Sequence, residues 1–293
     1  MSTAAPRITI VTPSFNQASF LEETIGSVLA QNYPNLEYLI IDGGSTDGSV
    51  GIIRKYADRL AYWVSEPDKG HYDALNKGFS RTTGEIMAWL NSDDKYTPWA
   101  LAVVGEIFAE HPEIEWITSL YPLHWDRAGR AISCHRNHGF TREGFFRGEN
   151  LPDAGWHAHG WIQQESTFWR RSLWERTGGR IDTTYSLAGD FELWARFYQH
   201  AELYGVGTPL GGFRLHGDQK TAHHAAAYLH QAQAAFFQHG GRPPSRWKSF
   251  VSSKLAKLIS NLQRKYDQRL EILPPKHFCL HRGREGGWRI KQP

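Results

Sequence analysis

Short apolar runs alternate with amphipathic stretches over the first hundred residues of the chain. The runs are rich in β-branched residues and have the length of strands, whereas the stretches between them carry apolar residues at helical spacing. This alternation predicts an α/β protein with a mainly parallel sheet sandwiched by helices. The predicted strands span residues 8–12, 36–41, 60–64 and 86–90, and the predicted helices cover residues 20–30, a stretch ending near residue 56, residues 72–79 and residues 97–109.

The start of the first helix carries a recognisable capping pattern. Ser19 and Glu22 are spaced as in a capping box, in which the two side chains bond to each other's backbone N–H groups. We therefore expect the first helix to begin at residue 20.

The pattern weakens beyond residue 120. Glycine, histidine, tryptophan and arginine are scattered without a clear period over residues 121–160, which predicts long loops over the sheet. Residues 240–244 are rich in glycine and proline and have the composition of a linker. We therefore predict an α/β domain over residues 1–240 and an extension over residues 241–293. Between these loops and the linker, regular periodicity returns at residues 168–176, 187–199 and 220–238.

The formal net charge of +3 hides two regions of opposite charge. Residues 245–293 hold 12 Lys or Arg and 3 Asp or Glu, which gives +9, whereas residues 1–244 hold 21 and 27, which gives −6. Residues 247–266 place an apolar stripe on one side of a predicted helix, with basic residues beside it. The extension is therefore predicted to be a basic amphipathic helix. It fits three partners equally: an anionic membrane surface, the domain itself, or a second copy of the chain.

Composition excludes several classes of protein. At 40% apolar and 22% charged residues the chain is globular rather than disordered, and no window has the roughly 18 consecutive apolar residues of a membrane span. The first residues lack the charged and apolar regions of a secretory signal, and two cysteines are too few for a disulfide framework. We expect a cytoplasmic protein with no nucleic-acid partner, able to make peripheral contact with the inner face of a membrane.

A polar or glycine-rich cluster directly follows each of the four predicted strands. Open parallel sheets bind their ligands outside the carboxyl ends of the strands. We therefore expect the clusters to line one crevice, although loops after strands are polar in any case. The clusters are residues 13–16, 42–45, 66–69 and 91–94.

One of these clusters, and the helix that follows another, carry side chains suited to a charged ligand. Asp93 and Asp94 follow a predicted buried strand, and paired carboxylates suit Mg²⁺ or Mn²⁺ that also binds phosphate oxygens. Their alternative role is to cap the following helix. Asp73, Asn76 and Lys77 share one helix face and can reach one ligand, or Asp73 and Lys77 can form a solvated ion pair.

Five motifs in order give the chain a resemblance to a known family. They are IVTPSFN at residues 10–16, DGGSTD at 42–47, DALNKG at 73–78, LNSDD at 90–94 and GDFELW at 189–194. In this order and spacing, residues 7–217 resemble family 2 glycosyltransferases. The resemblance implies a GT-A fold, a nucleoside-diphosphate sugar donor, a divalent metal and inversion at the anomeric carbon. We expect UDP in preference to GDP or dTDP as the nucleotide, and Mn²⁺ or Mg²⁺ as the metal.

The resemblance also implies which residues bind the donor. The carboxylate of Asp42 is expected to contact the nucleobase, and a turn-forming role before two glycines is its alternative. Asp73 is expected close to the nucleoside and sugar. The full set expected to bind the donor is Thr12, Pro13, Ser14, Asn16, Asp42, Asp73, Asn76, Lys77, Asn91 and Ser92.

The metal site departs from the family at one position. The family signature is Asp-any-Asp, but its first position is Asn91 in this chain, so Asp93 is the preferred ligand and Asp94 the second. His216 matches a position where some relatives place a histidine on metal or phosphate, and a structural histidine is its alternative. Arg214 and Lys220 can neutralise a diphosphate.

Asp190 is the expected catalytic base. An inverting transfer needs a carboxylate to take the proton of the acceptor hydroxyl, and the family places its base at this position. Glu192 is the weaker candidate, and stabilisation of a helix dipole is the alternative role of Asp190. By resemblance, residues 163–165 line the acceptor side.

We therefore expect an inverting, metal-dependent hexosyltransferase that builds polysaccharides or glycoconjugates. Its acceptor is a saccharide, a lipid-linked sugar or a small molecule. The rival functions are a non-catalytic nucleotide- or carbohydrate-binding module and a sugar nucleotidyltransferase. The second rival calls for a basic, glycine-rich loop after the first strand, and residues 13–16 have neither feature.

Overall fold

The computed structural model describes residues 5–151, 160–217, 219–243, 277–283 and 285–293. These residues form a large and a small β-sheet with helices packed against them, so the predicted α/β class is confirmed. The strands are β1 Ile8–Ser14, β2 Leu36–Asp42, β3 Tyr62–Ser65, β4 Ile86–Trp89, β5 Lys95–Tyr96, β6 Trp116–Ser119, β7 Leu123–Trp125, β8 Ala131–Cys134, β9 Phe168–Arg170, β10 Leu203–Val206, β11 Gly211–Arg214, β12 Cys279–Arg282 and β13 Trp288–Lys291. The helices are α1 Leu21–Leu29, α2 Ser49–Lys55, α3 His71–Phe79, α4 Ala100–Glu110, α5 Arg142–Phe146, α6 Arg171–Arg176, α7 Gly189–His200 and α8 Lys220–Gln238.

The large sheet is mainly parallel, as the sequence predicts. Its nine strands lie in the order β13-β12-β10-β6-β9-β4-β1-β2-β3. Strands β1 to β4 are mutually parallel neighbours, β9 is inserted antiparallel between β4 and β6, and β10 is parallel to β6. Since β1, β2 and β4 end at the same edge, the polar clusters that follow them meet there.

Aromatic side chains fill much of the core. Trp89, Trp116, Trp169 and Trp194 are each almost fully buried, and Trp194 stacks between Trp89 and Trp116 at centroid distances of 5.9 and 5.7 Å. Large aromatic side chains bury much apolar area and prefer such offset contacts. This packing fixes α7 against β4, β6 and β9, so the first turn of α7 has a fixed position at the sheet edge.

The region predicted as long loops contains regular structure. Within residues 121–160, β7 and β8 form a hairpin, and β7 also pairs with β11. Together with β5 these strands make a four-stranded sheet of order β5-β11-β7-β8. The loop prediction is wrong for these strands because each is three or four residues long, too short to show a period in sequence.

The C-terminal residues are also different from the prediction. Residues 277–283 and 285–293 contain β12 and β13, and β12 extends the large sheet beside β10. The prediction of a helical extension from residue 241 is therefore wrong for these residues, because the pairing of β12 with β10 makes them part of the domain's sheet. The amphipathic stretch at 247–266 lies outside the described residues, so its contact with membrane or protein stays a prediction. Among the described helices, none has the length and hydropathy needed to cross a bilayer.

The capping box is wrong. The helix α1 begins after Phe20, and Ser19 makes no capping hydrogen bond there. Backbone carbonyls take its place, because Gln17 accepts hydrogen bonds from the N–H groups of Phe20 and Leu21. The segment before α1 is instead held by Asp47 and Ser49, whose side chains accept hydrogen bonds from the loop after β1.

Candidate functional site

The loops after β1 and β2 are tied to each other at the edge of the sheet. Ser14 and Asp42 are paired neighbours at the ends of their strands. Asn16 donates its N–H to Ser45 Oγ at 2.7 Å, and its side-chain oxygen accepts the N–H of Thr46 at 2.9 Å. Asn16 has a φ of 52°, a left-handed conformation that asparagine tolerates. These bonds hold the two loops as one wall of a crevice.

The carboxylate of Asp42 is used within its own loop. Oδ2 accepts hydrogen bonds from the N–H of Ser45 at 2.9 Å and from Ser65 Oγ at 2.6 Å, and Oδ1 accepts one from Ser45 Oγ at 2.5 Å. The side chain is fully buried. This is the turn-forming role, so the structure favours it over the predicted contact with a nucleobase.

Two buried polar atoms at the same edge have no partner among the described residues. They are Ser14 Oγ and Asn91 Oδ1, at the ends of β1 and β4. Since buried polar groups are nearly always satisfied, each is suited to meet a polar ligand atom. The neighbouring predicted residues Thr12, Pro13 and Ser92 are buried with them, and the Thr12 hydroxyl is already paired with Tyr38 at 3.1 Å.

The three predicted residues of α3 divide into two roles. The Asn76 amide bonds to both backbone groups of Ile181, at 2.9 Å through Nδ2 and 2.8 Å through Oδ1. The structure therefore gives Asn76 a structural role, which corrects its placement in the donor site. Asp73 accepts the N–H of Lys69 at 3.0 Å, and its carboxylate lies 3.7 Å from the ammonium of Lys77. This partly exposed pair remains available to a ligand.

Asp93 and His216 form the strongest candidate for a metal site. Asp93 Oδ2 and His216 Nε2 are 3.0 Å apart, and the Asp93 side chain is 20% exposed. Phe20 packs on the His216 ring at a centroid distance of 4.5 Å, which fixes its orientation. Carboxylate oxygen and imidazole nitrogen are both ligands for Mn²⁺. Among the described residues, no group of three or more His, Cys, Asp or Glu side chains could hold a metal alone.

Asp94 is turned away from this pair. Its Oδ1 accepts the N–H of Arg214 at 2.7 Å, and its Oδ2 accepts Asn91 Nδ2 at 3.0 Å. Burial, together with the nearby negative charges of Glu165 and Asp93, holds the pKa of Asp94 well above its usual range. Burial also raises the pKa of Glu165 to about 7. Because its oxygens are already engaged, Asp94 supports the strand end and is poorly placed as the second metal ligand.

Arg214 is a buried clamp for the same strand end. Its side chain is 1% exposed, and its guanidinium donates to the Asp93 carbonyl at 2.5 Å, to the Arg127 carbonyl at 3.1 Å and to Glu23 Oε2 at 2.7 Å. Three of its five N–H groups are engaged in these bonds, so the structure gives Arg214 a supporting role at the strand end, and its predicted effect on a diphosphate stays a prediction. It sets the position of the Asp93 backbone.

Asp190 lies in the first turn of α7 beside two tyrosines. The hydroxyl of Tyr228, from α8, is 3.4 Å from both carboxylate oxygens, and the hydroxyl of Tyr72, from α3, is 3.4 Å from Oδ1. Burial raises the pKa of Asp190 to about 6, although hydrogen bonds from Phe191 and Tyr228 oppose the rise. A Cβ on Gly189 would lie 2.8 Å from the Tyr72 ring, so only glycine allows this approach.

Glu192 is removed as a candidate base. Its carboxylate bonds to Arg196 Nε at 2.9 Å and to His239 Nε2 at 2.9 Å, and hydrogen bonds from these two residues hold its pKa below the usual range despite burial. The sequence motif places both acids on one helix, and only Asp190 reaches the tyrosines.

The sequence does not indicate two of the aromatic residues around the candidate base. Tyr228 and Trp161 stack at 5.4 Å, and both line a narrow cavity of about 20 Å³ beside Asp190. Tyr72 directly precedes Asp73, and this position indicates that residues 70–72 belong to the same pocket as the motif at 73–78. Tyr228 and Trp161 lie in none of the five motifs: the packing of α8 on α7 brings Tyr228 to the site, and Trp161 stacks on it from the segment before β9.

Comparison with known proteins decides the family. The profile of glycosyl transferase family 2 matches residues 9–172, more than half of the chain. The chain belongs to glycosyl transferase family 2. An uncharacterized glycosyltransferase of Mycobacterium tuberculosis is 30% identical over 195 residues, which are 65% of this chain and 68% of that protein. TuaG of Bacillus subtilis, whose name assigns it to teichuronic acid biosynthesis, is 36% identical over 99 residues, 33% of this chain and 39% of TuaG.

Solved structures confirm the GT-A fold expected of a family 2 glycosyltransferase. The mannosyltransferase PcManGT of Pyrobaculum calidifontis, solved with GDP-Man and Mn²⁺, has a TM-score of 0.59 at 21% identity and covers 86% of this chain and 70% of its own. Staphylococcus aureus TarS with UDP-GlcNAc has a TM-score of 0.56 at 14% identity, covering 80% and 66%. Glucosyl-3-phosphoglycerate synthase of Mycobacterium tuberculosis, with Mn²⁺ and UDP, has a TM-score of 0.52 at 18% identity, covering 83% and 82%.

Proposed function

We propose that this family 2 glycosyltransferase transfers a sugar, with inversion, from a nucleoside-diphosphate sugar to an acceptor hydroxyl. The observation that carries the proposal is Asp190, a carboxylate with a pKa of about 6 that lies 3.4 Å from the hydroxyls of Tyr72 and Tyr228 at the edge of the sheet. A general base works best when its pKa lies near the pH of the reaction, so that it is ionised and still takes a proton.

Transfer is a single displacement at the anomeric carbon of the donor sugar. The acceptor oxygen forms a bond to the anomeric carbon of the donor as its O–H bond breaks, and Asp190 takes the proton. The bond between the anomeric carbon and the diphosphate oxygen breaks, and its electron pair leaves with the nucleoside diphosphate. Tyr72 and Tyr228 keep their protons, because burial and the nearby Asp190 charge hold the pKa of both hydroxyls well above the usual range.

The residues present fit a divalent metal with two protein ligands. Asp93 and His216 converge to 3.0 Å, and Asn91 Oδ1 is a buried carbonyl oxygen at the same strand end. Asp93 and His216 would hold the cation, and diphosphate oxygens and water would complete its shell. When bound, Mn²⁺ or Mg²⁺ supplies positive charge to the departing diphosphate.

Donor and acceptor are proposed by likeness to relatives. Two structural neighbours were solved with UDP or UDP-GlcNAc and one with GDP-Man. We take UDP as the first choice and keep GDP and dTDP as rivals. The name of TuaG supports a role in assembling a polysaccharide.

The test is transfer from defined donors. The protein is incubated with UDP-, GDP- and dTDP-sugars, Mn²⁺ and a saccharide panel, and nucleoside diphosphate release and the anomeric configuration of the product are measured. We expect release of the nucleoside diphosphate, and a product whose anomeric configuration is opposite to that of the donor sugar. Retention of configuration would contradict the inverting mechanism, and binding without turnover would indicate a binding module. Formation of nucleoside triphosphate and sugar 1-phosphate when pyrophosphate is added to the donor would indicate a nucleotidyltransferase.

A further inference from the structure

The half-exposed indole of Trp161 faces solvent directly beside the candidate base. Trp161 is 52% exposed, which is unusual because most other large aromatic side chains among the described residues are buried. One face of its ring lies on Tyr228, with centroids 5.4 Å apart and planes 16° from parallel. Tyr228 in turn contacts both carboxylate oxygens of Asp190. A single aromatic stack therefore runs from solvent to the catalytic carboxylate.

The backbone before Trp161 is held in place. Asn150, which is buried, donates its side-chain N–H to the carbonyl of Gly160 at 2.9 Å. Gly160 has a φ of 84°, in the left-handed region that glycine adopts without strain. This bond fixes the turn from which the indole projects, so Trp161 is presented at a set position.

The cavity beside Asp190 is small and carries no basic group. Its volume of about 20 Å³ holds roughly one water molecule or one hydroxyl group. The described residues that line it include Phe145, Asn150, Phe191 and Tyr228, and no lysine or arginine is among them. A phosphorylated or otherwise anionic acceptor therefore finds no counter-charge on this lining.

We propose that Trp161 is a stacking platform for the pyranose ring of a neutral saccharide acceptor. This rests on the proposed function, and it names the acceptor class of that same site. The apolar face of a pyranose packs on the open face of the indole, and one ring hydroxyl enters the cavity toward Asp190. Tyr228 couples the two, since it supports the indole with its ring and positions the carboxylate with its hydroxyl.

The test compares three tryptophan variants on simple acceptors. Methyl glycopyranosides serve as ring acceptors, glycerol as an acceptor without a ring, and 3-phosphoglycerate as an anionic one. Trp161→Ala should raise the KM for methyl glycopyranosides by about tenfold, the worth of one good aromatic contact. Trp161→Phe, which keeps a ring, should stay within about threefold of the wild type. Trp99→Ala is the matched control, because Trp99 is 45% exposed but bonds to Pro209 instead of lining the cavity.

Three results would overturn the platform. They are an unchanged KM for glycopyranosides in Trp161→Ala, an equal loss with glycerol, and a preference of the wild type for 3-phosphoglycerate. If the wild type transfers to no acceptor, saturation-transfer NMR with methyl glycopyranosides separates the two proposals. Saturation transfer to the pyranose ring that is seen in the wild type and lost in Trp161→Ala supports the platform, even though the proposed transfer reaction fails. The absence of saturation transfer to the pyranose ring in the wild type rejects the platform as well.

Discussion

Asp93 Oδ2 and His216 Nε2 lie 3.0 Å apart although 123 positions separate the two residues in the chain. The pair is assembled from the end of β4 and the segment after β11. Arg214 fixes the Asp93 backbone, and Phe20 packs on the His216 ring. The two side chains are thus held together by protein contacts, so a cation does not have to organise them.

His216→Gln should raise the Mn²⁺ concentration needed for half-maximal turnover by about 10- to 100-fold, the range seen when groups at a metal site are changed. The reason is the loss of an imidazole nitrogen that faces Asp93. The measurement is turnover against Mn²⁺ concentration at saturating donor. His200→Gln, on the exposed end of α7, is the control and should behave as the wild type. An unaltered metal requirement in His216→Gln would reject His216 as a ligand.

Asp190→Asn should lower kcat by about 10²- to 10⁴-fold, the usual contribution of a general base. It should not lower the melting temperature at pH 8. The pKa of Asp190 is raised from its usual value of 3.8 to about 6 in the folded state, so its ionisation lowers the stability of the fold progressively between these two values. The full cost is present at pH 8, and the neutral amide removes it. The assay is nucleoside diphosphate release alongside thermal unfolding.

Glu192→Gln, two residues along the same helix, should have the opposite pattern. Replacing the Glu192 carboxylate with an amide weakens the buried bonds to Arg196 and His239 and should lower the free energy of unfolding by about 1–3 kcal/mol. Its kcat should be close to that of the wild type, measured under conditions where the variant is folded. A large fall in kcat for Glu192→Gln with none for Asp190→Asn would exchange the two roles.

The pH dependence follows from the same carboxyl group. Asp190 accepts a proton only when ionised, so kcat should rise with pH through a midpoint near 6. The hydrogen bond from Tyr228 lowers the pKa of Asp190, so Tyr228→Phe should move this rising limb to higher pH while it keeps the ring. The measurement is the pH profile of kcat in both proteins. A midpoint near 4 in the wild type would mean that Asp190 is not desolvated as described.

Much of the fold and part of the site could be predicted from the sequence. The local pattern of apolar and polar residues predicts strands β1 to β4 and the polar clusters that follow them. It therefore also predicts that Ser14, Asn91 and Asp93 lie at the ends of strands. Contacts between distant segments have no local pattern. The hydrogen bond between Arg214 and Asp94 and the pairing of β12 with β10 arise only from tertiary packing, which is why Asp94 and the C-terminal residues differ from their predicted roles.

Asn76 has a structural role in the fold, whereas the motif at residues 73–78 implies that it binds the donor. Its amide satisfies the N–H and the carbonyl of Ile181, a buried residue. Asn76→Ala leaves both backbone groups without these partners and should lower the free energy of unfolding by about 1–3 kcal/mol, measured by urea denaturation. Asn35→Ala, which removes one exposed bond to Ala5, is the control and should change it by less than about 0.5 kcal/mol. If Asn76→Ala instead kept its stability and lost affinity for the donor, the donor-binding role implied by the motif would be restored.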